Sequence, residues 1–198
     1  QEFAANNIKH IAIPTTAGTG SESTRFAVIY YNGEKQTITH ESIIPEYAIL
    51  EPRLLEALPI YQKKATLMDT LCQAIESYWS VNSTEESKTY AKEAIELILA
   101  NYEAYLQNDL SSYPKILKAS NLSGKAINIS QTTAAHAMSY KITSLYGIAH
   151  GHAVALTLPH IWEHMINNLD KCIDPRGKEY LQRVFNELNN IFNSENSL

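Results

Sequence analysis

Two rhythms of apolar and polar positions divide the chain. From Lys9 to Pro52 the apolar residues come in short runs, HIAIP, RFAVIYY, QTITH and YAILEP, bounded by glycine or polar residues, and these predict short strands. Asn32-Gly33 in YNGEKQ is a two-residue turn signal and predicts a hairpin joining the second run to the third. From Leu54 onward the spacing turns helical, and no further strand is predicted. A first helix begins near Pro59, which suits a first-turn position, and runs to about Ser80. A second opens with Ser83 or Thr84 as N-cap and acidic residues in its first turn. Further helices are predicted over 113–129, 132–145, 151–168 and 178–193. The fold class is therefore mostly α, with a β-rich segment at 1–53 ahead of a helical domain at 54–198. So few strands make a poor sheet by themselves, and they are expected to belong to a larger one.

Composition narrows the function classes. With 198 residues, 44% of them apolar, the chain can bury the core of one domain or two small ones. A formal charge of -5 and no clustered Lys/Arg patch give no electrostatic basis for binding nucleic acid or an anionic membrane. No apolar run approaches the roughly 20 residues that cross a bilayer, and no signal peptide opens the chain, so the expected location is cytoplasmic. Cys72 and Cys172 form no CxxC pair and read as ordinary thiols.

The candidate chemistry is scattered along the helical part. Asp69 and Gln73 stand at i and i+4 in MDTLCQAIES, so their side chains leave one helix face a turn apart. His136 and Tyr140 repeat that spacing in HAMSY, and His150 follows in YGIAHGH. An unbroken helix would separate the two histidines by roughly 21 Å, too far to share one ion. Gly147 offers a break after which His150 can face back. Asp69, Gln73, His136 and His150 then form a candidate set around one divalent metal, and imidazole with carboxylate suits Zn(II) or Fe(II). Other readings stay open. An Asp/Gln pair also fits an exposed helical stripe, His152 competes, and His160 and His164 make an i, i+4 pair of their own. The stretch PTTAGTGSEST is neither a Walker loop nor a GxGxxG turn. Its hydroxyls and the N–H groups around Gly18 and Gly20 suit phosphate or ribose oxygens, and a plain turn between strands fits equally well.

Taken in order, IPTTAGTGSE, MDTLCQAIE, and HAMSY followed by GIAHGHAVA resemble the cofactor-contacting loop, the metal-ligand helix and the two later ligand histidines of the iron-containing, group III alcohol dehydrogenase family. The resemblance covers residues 11–168. It implies a multi-helical, dehydroquinate synthase-like domain preceded by a remnant of an α/β dinucleotide domain. The family's glycine-rich GGGS segment is absent from these residues, and family members continue beyond Leu198. The resemblance therefore implies a fragment that lacks activity by itself.

The same resemblance implies that Thr15 and Thr16 contact NAD or NADP, with Thr19, Lys35 and Leu54 as further contributors. Asp69, His136 and His150 match three ligands of Fe or Zn, and Gln73 stands where the family has a histidine. An amide oxygen is a poorer donor to a transition metal than an imidazole, so weaker binding is expected. Tyr140 replaces another family histidine, near the nicotinamide, and no catalytic residue is implied beyond the ligands. The implied reaction is hydride transfer between NAD(P)H and a small aldehyde, by a homodimer. MDTLCQAIESYWSVNSTEESK and TTAAHAMSY are most similar to the phosphonoacetaldehyde reductase branch. A phosphonate calls for cationic partners, and Arg25 and Lys141 lie beside the two motifs. Two rivals remain: a short-chain aliphatic alcohol or diol dehydrogenase of the same family, and a non-catalytic helical domain that binds metal or dimerises.

Overall fold

The computed structural model describes residues 8–31 and 34–194. Four short strands come first: β1 (Ile11–Ala12), β2 (Phe26–Tyr31), β3 (Glu34–Thr39) and β4 (Tyr47–Ala48). They form two separate pairs. β1 runs parallel to β4, and β2 is antiparallel to β3 with Phe26 opposite Thr39 and Tyr31 opposite Glu34. That register is the expected hairpin, although Asn32-Gly33 and the Lys35 side chain lie outside what the structure describes.

Six α-helices follow among the described residues: α1 (Ile60–Trp79), α2 (Glu85–Leu106), α3 (Tyr113–Ser130), α4 (Ala134–Tyr146), α5 (His150–Asn167) and α6 (Lys178–Ser194). The mostly α expectation holds. Pro59 sits one residue ahead of α1 as its N-cap. Of the two candidate caps of α2, Thr84 takes the role: its hydroxyl accepts from the Ser87 amide while the Ser87 hydroxyl accepts from the Thr84 amide. Gly147 ends α4 with a left-handed φ of 68°, a conformation open to glycine at little cost, and the chain turns there into α5.

Helix α1 is the centre of the molecule, packing against α2, α3 and α5. From Asp69 to Trp79 all but one of its side chains are buried. One core cluster gathers around Trp79, with Ile75, Ile95, Leu122, Val154 and Phe185. Trp162 meets Trp79 edge-on at 5.4 Å between ring centres. A second cluster joins Leu55 and Leu67 to Tyr105, Tyr113 and Ile116. None of the described helices is long and apolar enough to cross a membrane.

The β-rich segment is held to the helical body through α3. Gly20, at φ 59°, lies against the α3 backbone, where a Cβ would meet the Ser120 carbonyl oxygen at 2.5 Å and the Gly124 Cα at 2.6 Å. The Asn121 amide donates to Glu22 at 3.0 Å and Ser23 at 2.6 Å, and the Arg25 N–H donates to Asn128 at 2.9 Å. These contacts fix the hairpin as one wall of a cleft over α1 and α4.

Candidate metal centre

The floor of that cleft is a cavity of about 660 Å³ whose lining includes Asp69, Gln73, His136, Tyr140 and His150. Helix α1 contributes the first two, α4 the next two, and α5 begins with the last. Side-chain atoms of Asp69, His136 and His150 lie within 4.8 Å of one another, and this is the sole such His/Cys/Asp/Glu group among the described residues. Asp69 Oδ1 is 3.4 Å from His136 Nε2 and 3.7 Å from His150 Nε2. An ion with bonds of about 2.0–2.1 Å holds tetrahedral donors about 3.4 Å apart, so the spacing suits a shared cation.

Hydrogen bonding fixes which nitrogen each ring presents. Glu76 is fully buried, and its Oε1 accepts from the Thr133 hydroxyl at 2.6 Å and the Ala135 amide at 2.8 Å. Its other oxygen accepts from Nδ1 of His136. With the proton on Nδ1, Nε2 turns a lone pair toward Asp69. Ser139 does the same for His150. Its hydroxyl proton goes to the His136 carbonyl at 2.6 Å, so at 3.1 Å its oxygen accepts from His150 Nδ1. Asp69 Oδ1 and His136 Nε2 are consequently two buried acceptors that face each other with no hydrogen-bond partner. Such an arrangement requires a cation between them or a proton on the ring. Burial opposes a charged His136, yet the flanking Asp69 and Glu76 carboxylates prevail and raise its pKa to about 9. Burial also works to raise the Glu76 carboxyl, but His136, Thr133 and Ala135 outweigh it and hold that pKa below the usual value. A site that attracts a proton so strongly, with one carboxylate and two imidazoles, fits a divalent metal.

Gln73 lines the same cavity, and its amide oxygen accepts from the Ser123 hydroxyl at 3.2 Å. The Tyr140 ring stacks on His150 with centres 5.7 Å apart and planes at 12°. Cys72 is buried in the core, where burial followed by the Asp69 and Glu76 charges pushes its thiol up, and it is not part of the Asp69, His136 and His150 group. His152 is turned toward Tyr61, and His160 and His164 are exposed farther along α5.

The nominated cofactor and substrate residues divide. Thr19 lines the cavity, whereas Thr15, Thr16 and Leu54 are not among its described lining residues. Arg25 and Lys141 are not on its wall either. Thr24, Phe26, Ala27 and Val28 line the cavity, whereas the Arg25 guanidinium pairs with Glu41 at 2.7 Å. On α4 the i, i+4 face belongs to His136 and Tyr140, so Lys141, about a third of a turn round, is exposed. Glu76, the hydrogen-bond partner of His136, is the residue of this cluster that the sequence reading does not nominate. Its signal was present, since Asp69, Gln73 and Glu76 share one helix face at i, i+4 and i+7.

The fold and this site define a helical domain built to carry a metal under a hydroxyl-rich loop. The family profile described as the C-terminal part of the Fe-containing alcohol dehydrogenase family matches residues 63–196, and that of iron-containing alcohol dehydrogenase matches residues 1–52. The chain belongs to the iron-containing alcohol dehydrogenase family. It is 35% identical over 187 residues to phosphonoacetaldehyde reductase of Streptomyces viridochromogenes, covering 91% of this chain and 47% of that protein. It superposes with a TM-score of 0.79 on sulfoacetaldehyde reductase from Bifidobacterium kashiwanohense in complex with NAD+, at 32% identity over 82% of this chain and 44% of that one. An iron-containing alcohol dehydrogenase from Thermotoga maritima gives 0.77 at 31% identity, covering 96% and 51%. The chain thus spans about half the length of the relatives it matches.

Proposed function

We propose that the chain forms the metal-carrying part of an oxidoreductase that moves a hydride between NAD(P)H and a small aldehyde. The observation that carries this reading is the buried pair of facing acceptors, Asp69 Oδ1 and His136 Nε2, converging with His150 at the floor of a cavity under the loop of Gly18 and Gly20. A divalent ion, Fe or Zn, held by Asp69, His136 and His150 would supply Lewis acidity toward the carbonyl oxygen. Glu76 and Ser139 hold the two imidazoles in the tautomers that such an ion needs. Gln73 completes the polar floor, as a weak ligand or as the partner of a water. Phe26, Val28 and Ile127 keep one side of the cavity apolar, while Thr19 and the neighbouring loop amides suit a dinucleotide. In this reading residues 1–53 belong to the cofactor-binding domain and 54–198 form the metal-binding domain, in a cytoplasmic homodimer.

Phosphonoacetaldehyde is the substrate this reading favours, because two relatives are named for acetaldehydes that bear an anionic head. Its charge would meet the hydroxyls of Ser21, Thr24, Thr37 and Thr39 rather than Arg25 or Lys141. The same uncharged wall favours a second reading, an aliphatic alcohol or diol dehydrogenase, since no lysine or arginine is among the described lining residues. Steady-state NAD(P)H oxidation by the whole protein separates the two. A kcat/KM for phosphonoacetaldehyde well above that for propionaldehyde supports the first, and the reverse order supports the second. Turnover that survives Asp69→Ala and chelation overturns the metal reading altogether.

A further inference from the structure

Helix α1 presents a stripe at intervals of four: Tyr61, Ala65, Asp69 and Gln73. The last two belong to the site, and the first two lie against the start of α5. Gly151, the second residue of α5, leaves no room for a side chain there. A Cβ would collide with the Ala65 carbonyl oxygen and meet the Asp69 Cβ at 2.7 Å. One turn earlier on α1, the Tyr61 hydroxyl accepts the Ala149 N–H at 3.1 Å and lies 3.3 Å from His152 Nδ1. Its ring also meets the His152 ring edge-on at 5.9 Å. Ala149 is the N-cap residue of α5 and has no side-chain cap to offer. The connection it ends, from Gly147, includes a glycine with open space around its Cα.

We infer that Tyr61 is a positioning residue for the metal centre, a hydroxyl from α1 that ties down the start of α5 and so aims His150 at Asp69. The proposal rests on reading Asp69, His136 and His150 as one metal set. The Ala149 amide donates to the phenol oxygen, and the same hydroxyl meets His152 Nδ1. This accounts for His152, two residues beyond His150, standing outside the metal set. Its Nδ1 is turned to Tyr61, while His150 opens the helix toward the cavity. Without the hydroxyl, Gly151 still packs on Ala65, but Ala149 loses its hydrogen bond to α1. The first turn is then less tightly held, and the aim of His150 Nε2 at Asp69 is left to the Gly151 packing, the Ser139 hydroxyl and the Tyr140 ring.

The test is Tyr61→Phe in the full chain, which removes one oxygen and keeps the ring. Titration with Co(II) alone, followed by visible absorption and calorimetry, reads the site directly. The expected result is affinity lower by about threefold to tenfold, less than the ten- to hundredfold typical of groups bonded directly to a ligand, with a changed visible band. Amide exchange at Ala149 and His150 in metal-free protein is expected to quicken while the midpoint of thermal unfolding stays near wild type. A His152→Ala variant keeps the Ala149 bond and is expected to fall between Tyr61→Phe and wild type. An unchanged Co(II) affinity and band in Tyr61→Phe, with Asp69→Ala abolishing binding, overturns the inference and leaves the metal reading intact. Wild-type protein that binds no Co(II), or binds it equally after Asp69→Ala, overturns both.

Discussion

At the scale of single residues, the site is a set of acceptors whose orientation is decided one atom away. Glu76→Gln keeps the size of the side chain and can still accept from Thr133 and Ala135, but its amide then donates to His136 Nδ1. The ring proton is forced onto Nε2, the nitrogen that faces Asp69. Zn(II) affinity is expected to fall by about a hundredfold, the upper end for an outer partner of a ligand. Gln73→His in the same calorimetric series is expected to move the other way, tightening Zn(II) by about ten- to a hundredfold, because imidazole replaces a weak amide donor. That Asp69, Gln73, His136 and His150 meet at one cavity was legible from helical spacing plus one glycine. Glu76 was not picked out, because a lone carboxylate seven residues on reads as surface until the neighbours of α1 bury that face. Arg25 stands next to lining residues in sequence, yet its guanidinium pairs with Glu41.

At the scale of elements, periodicity located all six helices, and every boundary it assigned lies within about two residues of the observed one, the normal uncertainty of helix boundaries. The polar fasteners between them left no such trace. Lys63 is almost completely buried on α1, donating to Asn108 at 2.7 Å and the Tyr113 hydroxyl at 2.5 Å with the Tyr113 ring 4.6 Å away. A lysine in an amphipathic pattern reads as solvated, and only the fold reveals its cage. Arg176 is the second case. It makes a bidentate pair with the buried Asp174 and donates to the carbonyls of Ser80 and Ser83, pinning the approach to α6 onto the turn between α1 and α2. Arg176→Ala is expected to cost about 2–4 kcal/mol in urea unfolding at pH 7, since it strands a buried carboxylate and two carbonyls. The Arg176 hydrogen bonds hold the Asp174 pKa below its usual value, so the contribution is present above the unfolded pKa and lost as pH falls through the folded one. The gap between wild type and variant is therefore expected to narrow below about pH 4.

At the scale of the whole molecule, ligand candidates far apart in sequence meet because α1 runs through the middle and both α3 and α5 pack on it. Placement of the hairpin over the site was not legible, since it depends on Asn121, Asn128 and the meeting of Gly20 with Gly124, which no local pattern announces. The confrontation of Asp69 Oδ1 with His136 Nε2 reaches beyond catalysis. It makes the folding equilibrium a gauge of occupancy. A cation that binds the folded state alone stabilises it by mass action, about 2.7 kcal/mol at a hundred times its dissociation constant. For a chain of this length that corresponds to a rise in melting temperature of about 5–10 °C. Scanning calorimetry across a Zn(II) series is expected to give a midpoint that climbs with the logarithm of free metal and returns to its starting value on adding a chelator. The same scan on Asp69→Ala should stay flat. A midpoint in the parent chain that ignores both metal and chelator would mean the two acceptors share a proton and nothing heavier.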